Sequence, residues 1–183
     1  MSEKLHRTFI CIDFPDNVIK EVARAQEILG NLKFSGKMTE LENLHLTLKF
    51  LGEIDNDKLK EVEKRLLDIN LEKFESRLNG IGTFSFHGNP RIVWIKIGGK
   101  GIFELQKRID EHLADLFKPE ERFMSHMTIA RVKYVKDKIG FKEFINGIRL
   151  RDIKFRIDNF KLKESELREM GSIYRDLEVY QLN

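Results

Sequence analysis

Apolar and polar residues alternate over residues 6–14 (HRTFICIDF), and the alternation stops at Pro15, which predicts a first strand. The period then changes. Val18, Val22, Ala25 and Leu29 recur at helical spacing and predict a helix over 16–30, with Gly30 as its C-cap. KMTEL and HLTLKFLGEI read as two strands joined by a polar turn at Glu42 and Asn43. A capping Asp or Asn opens a helix over 55–69. Strands over 74–84 and 91–99 flank a turn at 87–90, and the clearest helical pattern runs over 100–117. A strand over 126–135, a short helix over 137–148 and two long strands near 151–163 and 172–182 follow. Helices alternate with single strands and with hairpins, so the fold class is α+β with mixed or antiparallel sheets.

Two of these strands carry the same short pattern, HLTL at 45–48 and HMTI at 126–129. Residues i and i+2 of a strand share a face. Strict alternation therefore puts His45, Thr47 and Lys49 on one side, and Leu44, Leu46, Leu48 and Phe50 on the other. His126, Thr128 and Ala130 share a face opposite Met127 and Ile129. Arg131 points away from His126 and reaches the same side only if a bulge intervenes. With the two motifs superposed at their spacing of 81 residues, apolar positions coincide at Leu48/Ile129, Leu51/Val132, Ile54/Val135, Leu67/Ile148, Phe74/Phe155, Ile81/Leu162 and Ile92/Ile173. One shared register predicts a bilobal molecule, with two pseudo-twofold-related lobes facing a central groove, helices outside, and residues 1–183 as a single two-lobed domain.

Histidine is the side chain that serves as acid or base near neutral pH. Two of them held across a substrate can accept a proton on one side and donate one on the other. Threonine hydroxyls beside them can hold non-bridging phosphate oxygens. A single HLTL is more often structural; the doubled motif reverses that judgement. Zinc fits less well, because neither motif has a nearby Cys, a second His or an HExxH spacing.

The chain has 183 residues, 41% hydrophobic and 34% charged, and a formal net charge of +3, which permits a phosphate-bearing ligand. No apolar run approaches the roughly 18 residues of a membrane span. The first residues lack the apolar core of a secretory leader, which points to the cytoplasm. Cys11 is the sole cysteine and reads as a small buried strand residue. Arg7, Phe9, Cys11 and Asp13 share a face of the first strand; Phe9 suits core packing first and base stacking second. Lys49 suits phosphate attraction or a solvated strand. Tyr174 and Trp94 read as core, and His6, His87 and His112 as surface or turn residues. GGKG (98–101) could hold an anion at a helix N-terminus, but it lacks P-loop spacing and reads as a turn.

RTFICIDFP, ENLHLTLKFLGE, RIVWIKI, SHMTIARV and YRDLEVYQL together resemble, in order and nearly end to end, the landmarks of the RNA 2′,3′-cyclic phosphodiesterases, also called 2′-5′ RNA ligases. These belong to the two-histidine phosphoesterase superfamily. The resemblance implies metal-independent opening of a 2′,3′-cyclic phosphate RNA end to a 2′-phosphomonoester, with reversible 2′-5′ ligation to a 5′-hydroxyl. It assigns His45 as proton donor and His126 as proton acceptor, with Thr47 and Thr128 on the phosphate. Phe9, Lys49 and Arg131 are further candidates for substrate contact. It implies no cofactor, an RNA partner and a monomer. The alternatives are another two-histidine cyclic-phosphate or 2′-5′ phosphodiesterase, or a module that binds RNA ends without turnover.

Overall fold

A computed structural model describes residues 4–168 and 171–183; the reading of the N-terminus extends onto residues 1–3, outside them. The elements are β1 (His6–Asp13), α1 (Asp16–Gly30), β2 (Ser35–Met38), β3 (His45–Ile54), α2 (Asn56–Leu67), β4 (Phe74–Phe86), β5 (Asn89–Gly98), α3 (Lys100–His112), β6 (His126–Tyr134), α4 (Lys138–Gly147), β7 (Lys154–Ile157), β8 (Asn159–Arg168) and β9 (Gly171–Gln181), in the predicted order except that the single strand expected near 151–163 breaks at Asp158 into β7 and β8, which pair with β4 and β1 in different halves of the sheet. Local chemistry sets the boundaries. Asp55 caps α2 by accepting from the Lys58 amide at 2.8 Å, and Asp137 caps α4 through Gly140. Gly30 ends α1, but the following Asn31 stays right-handed, so no left-handed cap forms. The β4–β5 turn is shorter than predicted. His87 and Gly88 adopt φ of 47° and 75°, the left-handed pair that a two-residue hairpin turn requires. KMTEL is a strand only as far as Met38, and Leu41–Asn43 form a 3₁₀ turn.

The strands make one sheet in the order β7-β4-β5-β6-β3-β1-β8-β9, with β2 added to β6. Every pairing is antiparallel. The two halves meet at a short seam, where β3 and β6 pair only through Leu46 and Met127. Beyond that point β2 takes the free edge of β6, with Met38 opposite Ala130. The sheet is therefore joined at the N-terminal ends of the two motif strands.

The halves are related as the repeat predicts. β1 lies against β3 with Cys11 opposite Thr47 and Asp13 opposite His45; β5 lies against β6 with Trp94 opposite Thr128 and Lys96 opposite His126. β5 is thus the counterpart of β1, two residues out of the 81-residue register. Leu67 departs from that register more plainly, being 70% exposed where Ile148 is buried.

One face of the sheet is apolar and covered by helices. Val18, Val22, Ala25 and Leu29 of α1 and Ile102, Leu105 and Ile109 of α3 are fully buried, together with Ile10, Ile12, Leu46, Leu48, Val93, Ile95, Met127 and Ile129 of the sheet. At about 1.5–3 kcal/mol for each buried side chain, this layer opposes the loss of chain entropy on folding. α1 follows β1 yet touches β6, and α3 follows β5 yet touches β3. Each helix reaches across the seam and ties the halves together. Among the described residues no helix is long and apolar enough to cross a membrane.

Candidate active site

The two motif strands are bulged at the same place. Cys11 and Ile10 oppose Thr47 and Lys49, leaving Leu48 as an extra residue. Trp94 and Val93 oppose Thr128 and Ala130, leaving Ile129 as an extra residue. A bulge of one residue reverses the alternation beyond it. Leu48 and Lys49 are consequently both buried, as are Ile129 and Ala130. Lys49 does not share the face of His45, contrary to strict alternation. Its side chain enters the helix layer, 1% exposed, where Nζ donates to Asp110 Oδ1 at 2.5 Å and to the Lys118 carbonyl at 2.7 Å. Phe50, expected in the apolar layer, is 48% exposed and lines the groove. Arg131 occupies the equivalent place in the second half and also lines the groove, the bulge having turned it there. Buried polar groups of the helices support each bulge: Asp110 and Gln106 beneath the first, and Gln26, which donates to the Ile129 carbonyl, beneath the second.

His45, Thr47, His126 and Thr128 line one groove of about 510 Å³. With Leu46 opposite Met127, antiparallel geometry sets His45 across from Thr128 and Thr47 across from His126. The imidazoles are then diagonal neighbours, their backbones about 7–8 Å apart. Both rings are locked alike. His45 Nδ1 lies 2.8 Å from the Asn43 carbonyl and His126 Nδ1 lies 2.7 Å from the Met124 carbonyl, each two residues upstream. A carbonyl only accepts, so Nδ1 carries a hydrogen in both rings, and Nε2 is the atom left to exchange a proton. His45 Nε2 lies 3.1 Å from Thr47 Oγ1.

Aromatic rings hold each imidazole. Phe9 and Tyr174 lie 4.9 and 5.1 Å from His45 by centroid, and Phe84 lies 5.1 Å from His126. Burial depresses the pKa of His45, and Lys163 and Arg131 add to the effect; the Asn43 carbonyl and Asp13 oppose it. Asp13, Lys161, Lys163 and Asp176 form a compact cluster next to it, with Lys163 Nζ 2.8 Å from Asp13 and Lys161 Nζ 2.6 Å from Asp176. Two cations meet two carboxylates there, so the cluster adds little net field.

The other expectations divide. Phe9 is 3% exposed and is at once core and groove wall, while Cys11 is buried and its thiol pKa is pushed far up by burial. Tyr174 is not core: it lines the groove. Trp94 lies half-buried across Gly82, against Phe84. His6 is not on the surface: it is buried, with Nδ1 2.7 Å from Glu164 and Nε2 2.9 Å from Asn56. His87 sits in the turn as expected, and His112 closes α3 with Nδ1 against the Arg108 carbonyl. Sequence reasoning gave no role to Asn43. Its carbonyl fixes His45 and its side-chain amide donates to the Ser172 carbonyl at 3.1 Å, joining the 3₁₀ turn to β9. Arg7, whose guanidinium lies over Phe50, completes the wall. Among the described residues, no group of three or more His, Cys, Asp or Glu is arranged to hold a metal ion.

The family model of LigT-like phosphoesterases matches residues 12–94 and 97–174, one motif in each segment. The chain is 39% identical over 171 residues to a Methanocaldococcus jannaschii protein named RNA 2′,3′-cyclic phosphodiesterase, covering 92% of this chain and 96% of that one. A Thermotoga maritima protein of the same name is 35% identical over 177 residues, covering 93% and 92%. The fold resembles the crystal structure of a Thermus thermophilus protein, with a TM-score of 0.81, 26% identity, and 96% and 97% of the two chains covered. With most of its length matched and both motifs meeting in one groove, this chain belongs to the LigT-like phosphoesterase family.

Proposed function

We propose that this protein opens 2′,3′-cyclic phosphate ends of RNA to 2′-phosphomonoesters without a metal, His45 being the proton donor and His126 the proton acceptor. The observation that carries the reading is the pair of carbonyl-locked imidazoles in one groove, each in a motif with a threonine. The substrate class comes from relatives named RNA 2′,3′-cyclic phosphodiesterase that match nearly the whole chain. Nε2 of His126 takes a proton from water as the water oxygen bonds to phosphorus. The bond from phosphorus to O3′ breaks, and Nε2–H of His45 gives its proton to O3′. The Thr47 and Thr128 hydroxyls and the Arg131 guanidinium stabilise charge on the non-bridging oxygens. A 5′-hydroxyl in place of water gives a 2′-5′ joint by the same path. Each half contributes one histidine, so residues 1–183 act as one two-lobed unit and a monomer suffices.

Burial favours the neutral form of His45, which suits an acid poorly. A bound phosphodiester anion reverses this by favouring the imidazolium. The acid is thereby charged when substrate arrives.

The test is turnover of a synthetic RNA ending in a 2′,3′-cyclic phosphate. His45→Ala and His126→Ala each lower it about 10²–10⁴-fold with the fold retained. Replacing His45 flattens the alkaline limb of the pH profile, and replacing His126 flattens the acidic limb. Near-wild-type turnover in either variant refutes the two-histidine mechanism, and exchanged limbs would exchange the roles.

A further inference from the structure

Each imidazole of the groove has one charged cross-strand neighbour, and the twofold relation breaks at that pair of positions. Asp13 of β1 stands directly opposite His45, and Lys96 of β5 stands directly opposite His126. Directly opposed residues of an antiparallel pair share a face, with Cβ atoms about 4.5–5.5 Å apart. The positions are equivalent in the two halves: Cys11 and Trp94, two residues before each charge, lie opposite Thr47 and Thr128. Both rings are locked through Nδ1 in the same way, so backbone geometry gives the proton to neither.

The charges around the two rings differ. Beside His45, Asp13 bonds to Lys161 and Lys163 of β8, and both lysines reach Asp176 of β9. Two ammonium groups and two carboxylates compensate one another there. Arg131 of β6 is a further cation that acts on His45, and the Tyr174 ring of β9 packs edge-on against it. Burial already disfavours a charged His45, while Lys163 and Asp13 act on it in opposite directions. Without its carboxylates the cluster would hold this ring neutral. His126 meets a bare cation instead. Lys96 is exposed and has no ion-pair partner among the described residues. The other strands against His126 bring Phe84 of β4, and Thr47 and His45 of β3; Arg131 lies farther along its own strand. A like charge close to an imidazole disfavours the imidazolium.

We propose that Asp13 and Lys96 assign the two proton-transfer roles. Lys96 keeps His126 the base, and Asp13, by neutralising the lysines beside His45, lets that ring carry the proton it gives to O3′. Both are positioning residues, acting through the imidazoles and not on the substrate. The direction of transfer rests on the function proposed above; the effect on each ring does not.

The experiment follows the titration of each imidazole by NMR in the ligand-free protein, which needs no substrate. Lys96→Gln moves the His126 titration to higher pH by about half a unit at low salt, and Lys96→Glu by about twice as much. The shift fades in about 1 M salt, because the ammonium is exposed. Asp13→Asn moves the His45 titration to lower pH, and Lys163→Met moves it to higher pH. Opposite signs from two substitutions in one cluster separate charge from packing. A ring that stays in place, moves the other way, or shifts no more than the other ring overturns the proposal. On a cyclic-phosphate RNA the acidic limb of kcat/KM follows His126 and the alkaline limb follows His45. Asp13→Asn/Lys96→Glu therefore narrows the profile from both sides and lowers its maximum severalfold; an unchanged width overturns the proposal. If wild type opens no cyclic phosphate, the functional reading fails, and the ring titrations alone decide whether Asp13 and Lys96 set the two imidazoles apart.

Discussion

Lys49 gives the sharpest test of how the motif strands are built. Its ammonium is inside the protein, on Asp110 and the Lys118 carbonyl, and its side chain is 1% exposed. Lys49→Met keeps the stem and removes the charge. Asp110 Oδ1 then has no partner, although Oδ2 still accepts from Gln106 at 2.7 Å and from the Glu120 amide at 2.9 Å. Removing one member of a buried pair costs about 3–5 kcal/mol. The two surviving donors favour the lower end, about 3 kcal/mol. At about 2–4 °C per kcal/mol for a chain of this size, Tm falls by about 6–12 °C. Lys49→Met/Asp110→Leu recovers most of the loss, because it leaves no buried charge unpaired. Thermal unfolding of the three proteins supplies the stabilities, and initial rates on a cyclic-phosphate RNA at several salt concentrations supply the activity. KM and its salt dependence should match wild type in Lys49→Met, whereas Arg131→Ala should raise KM and flatten the salt dependence. A Lys49→Met protein of unchanged Tm with a raised, salt-insensitive KM would put the ammonium on the phosphate and refute the bulged register.

The threonines should differ. Thr47→Val removes a hydroxyl in contact with His45 Nε2, so it lowers activity and moves the His45 limb to lower pH, the charged ring losing an acceptor. Thr128→Val lowers activity with both limbs in place; an identical shift in both variants would contradict the asymmetry. The depressed pKa of His45 makes the unfolded chain bind more protons once pH falls below about 6.5, so that stability is present above this pH and drains away as the folded-state pKa is approached. His45→Gln should therefore unfold with a shallower pH dependence over that window, by up to about 1.4 kcal/mol per pH unit, and parallel curves would count against the burial of a neutral ring. Activity should survive excess EDTA; loss restored by one divalent ion would make the histidines ligands.

The sequence by itself determined most of the elements, the antiparallel-compatible α+β class and the doubled motif, because each rests on local periodicity. The break at Asp158 that divides β7 from β8 is set instead by their pairing in different halves of the sheet. Alternation at Leu46 and Met127 put apolar residues under the helices and left His45, Thr47, His126 and Thr128 on the other face, and the fold keeps them there. The 81-residue spacing exposed the twofold relation for the same reason, since a duplicated strand repeats its pattern. Tertiary structure decided what lies past each motif. A bulge depends on which partner residue is skipped, and no periodicity within β3 or β6 records that, so Lys49 and Phe50 exchange faces and Arg131 turns inward. The locks on the imidazoles are backbone carbonyls of Asn43 and Met124, and two such different side chains carry no common signal. Tyr174 and Ser172 enter the groove through the pairing of β9 with β8 beside β1, a contact more than 120 residues away in the chain from His45. His6 is buried for a similar reason: its partners Asn56 and Glu164 are supplied by α2 and β8, and only their convergence satisfies an interior imidazole.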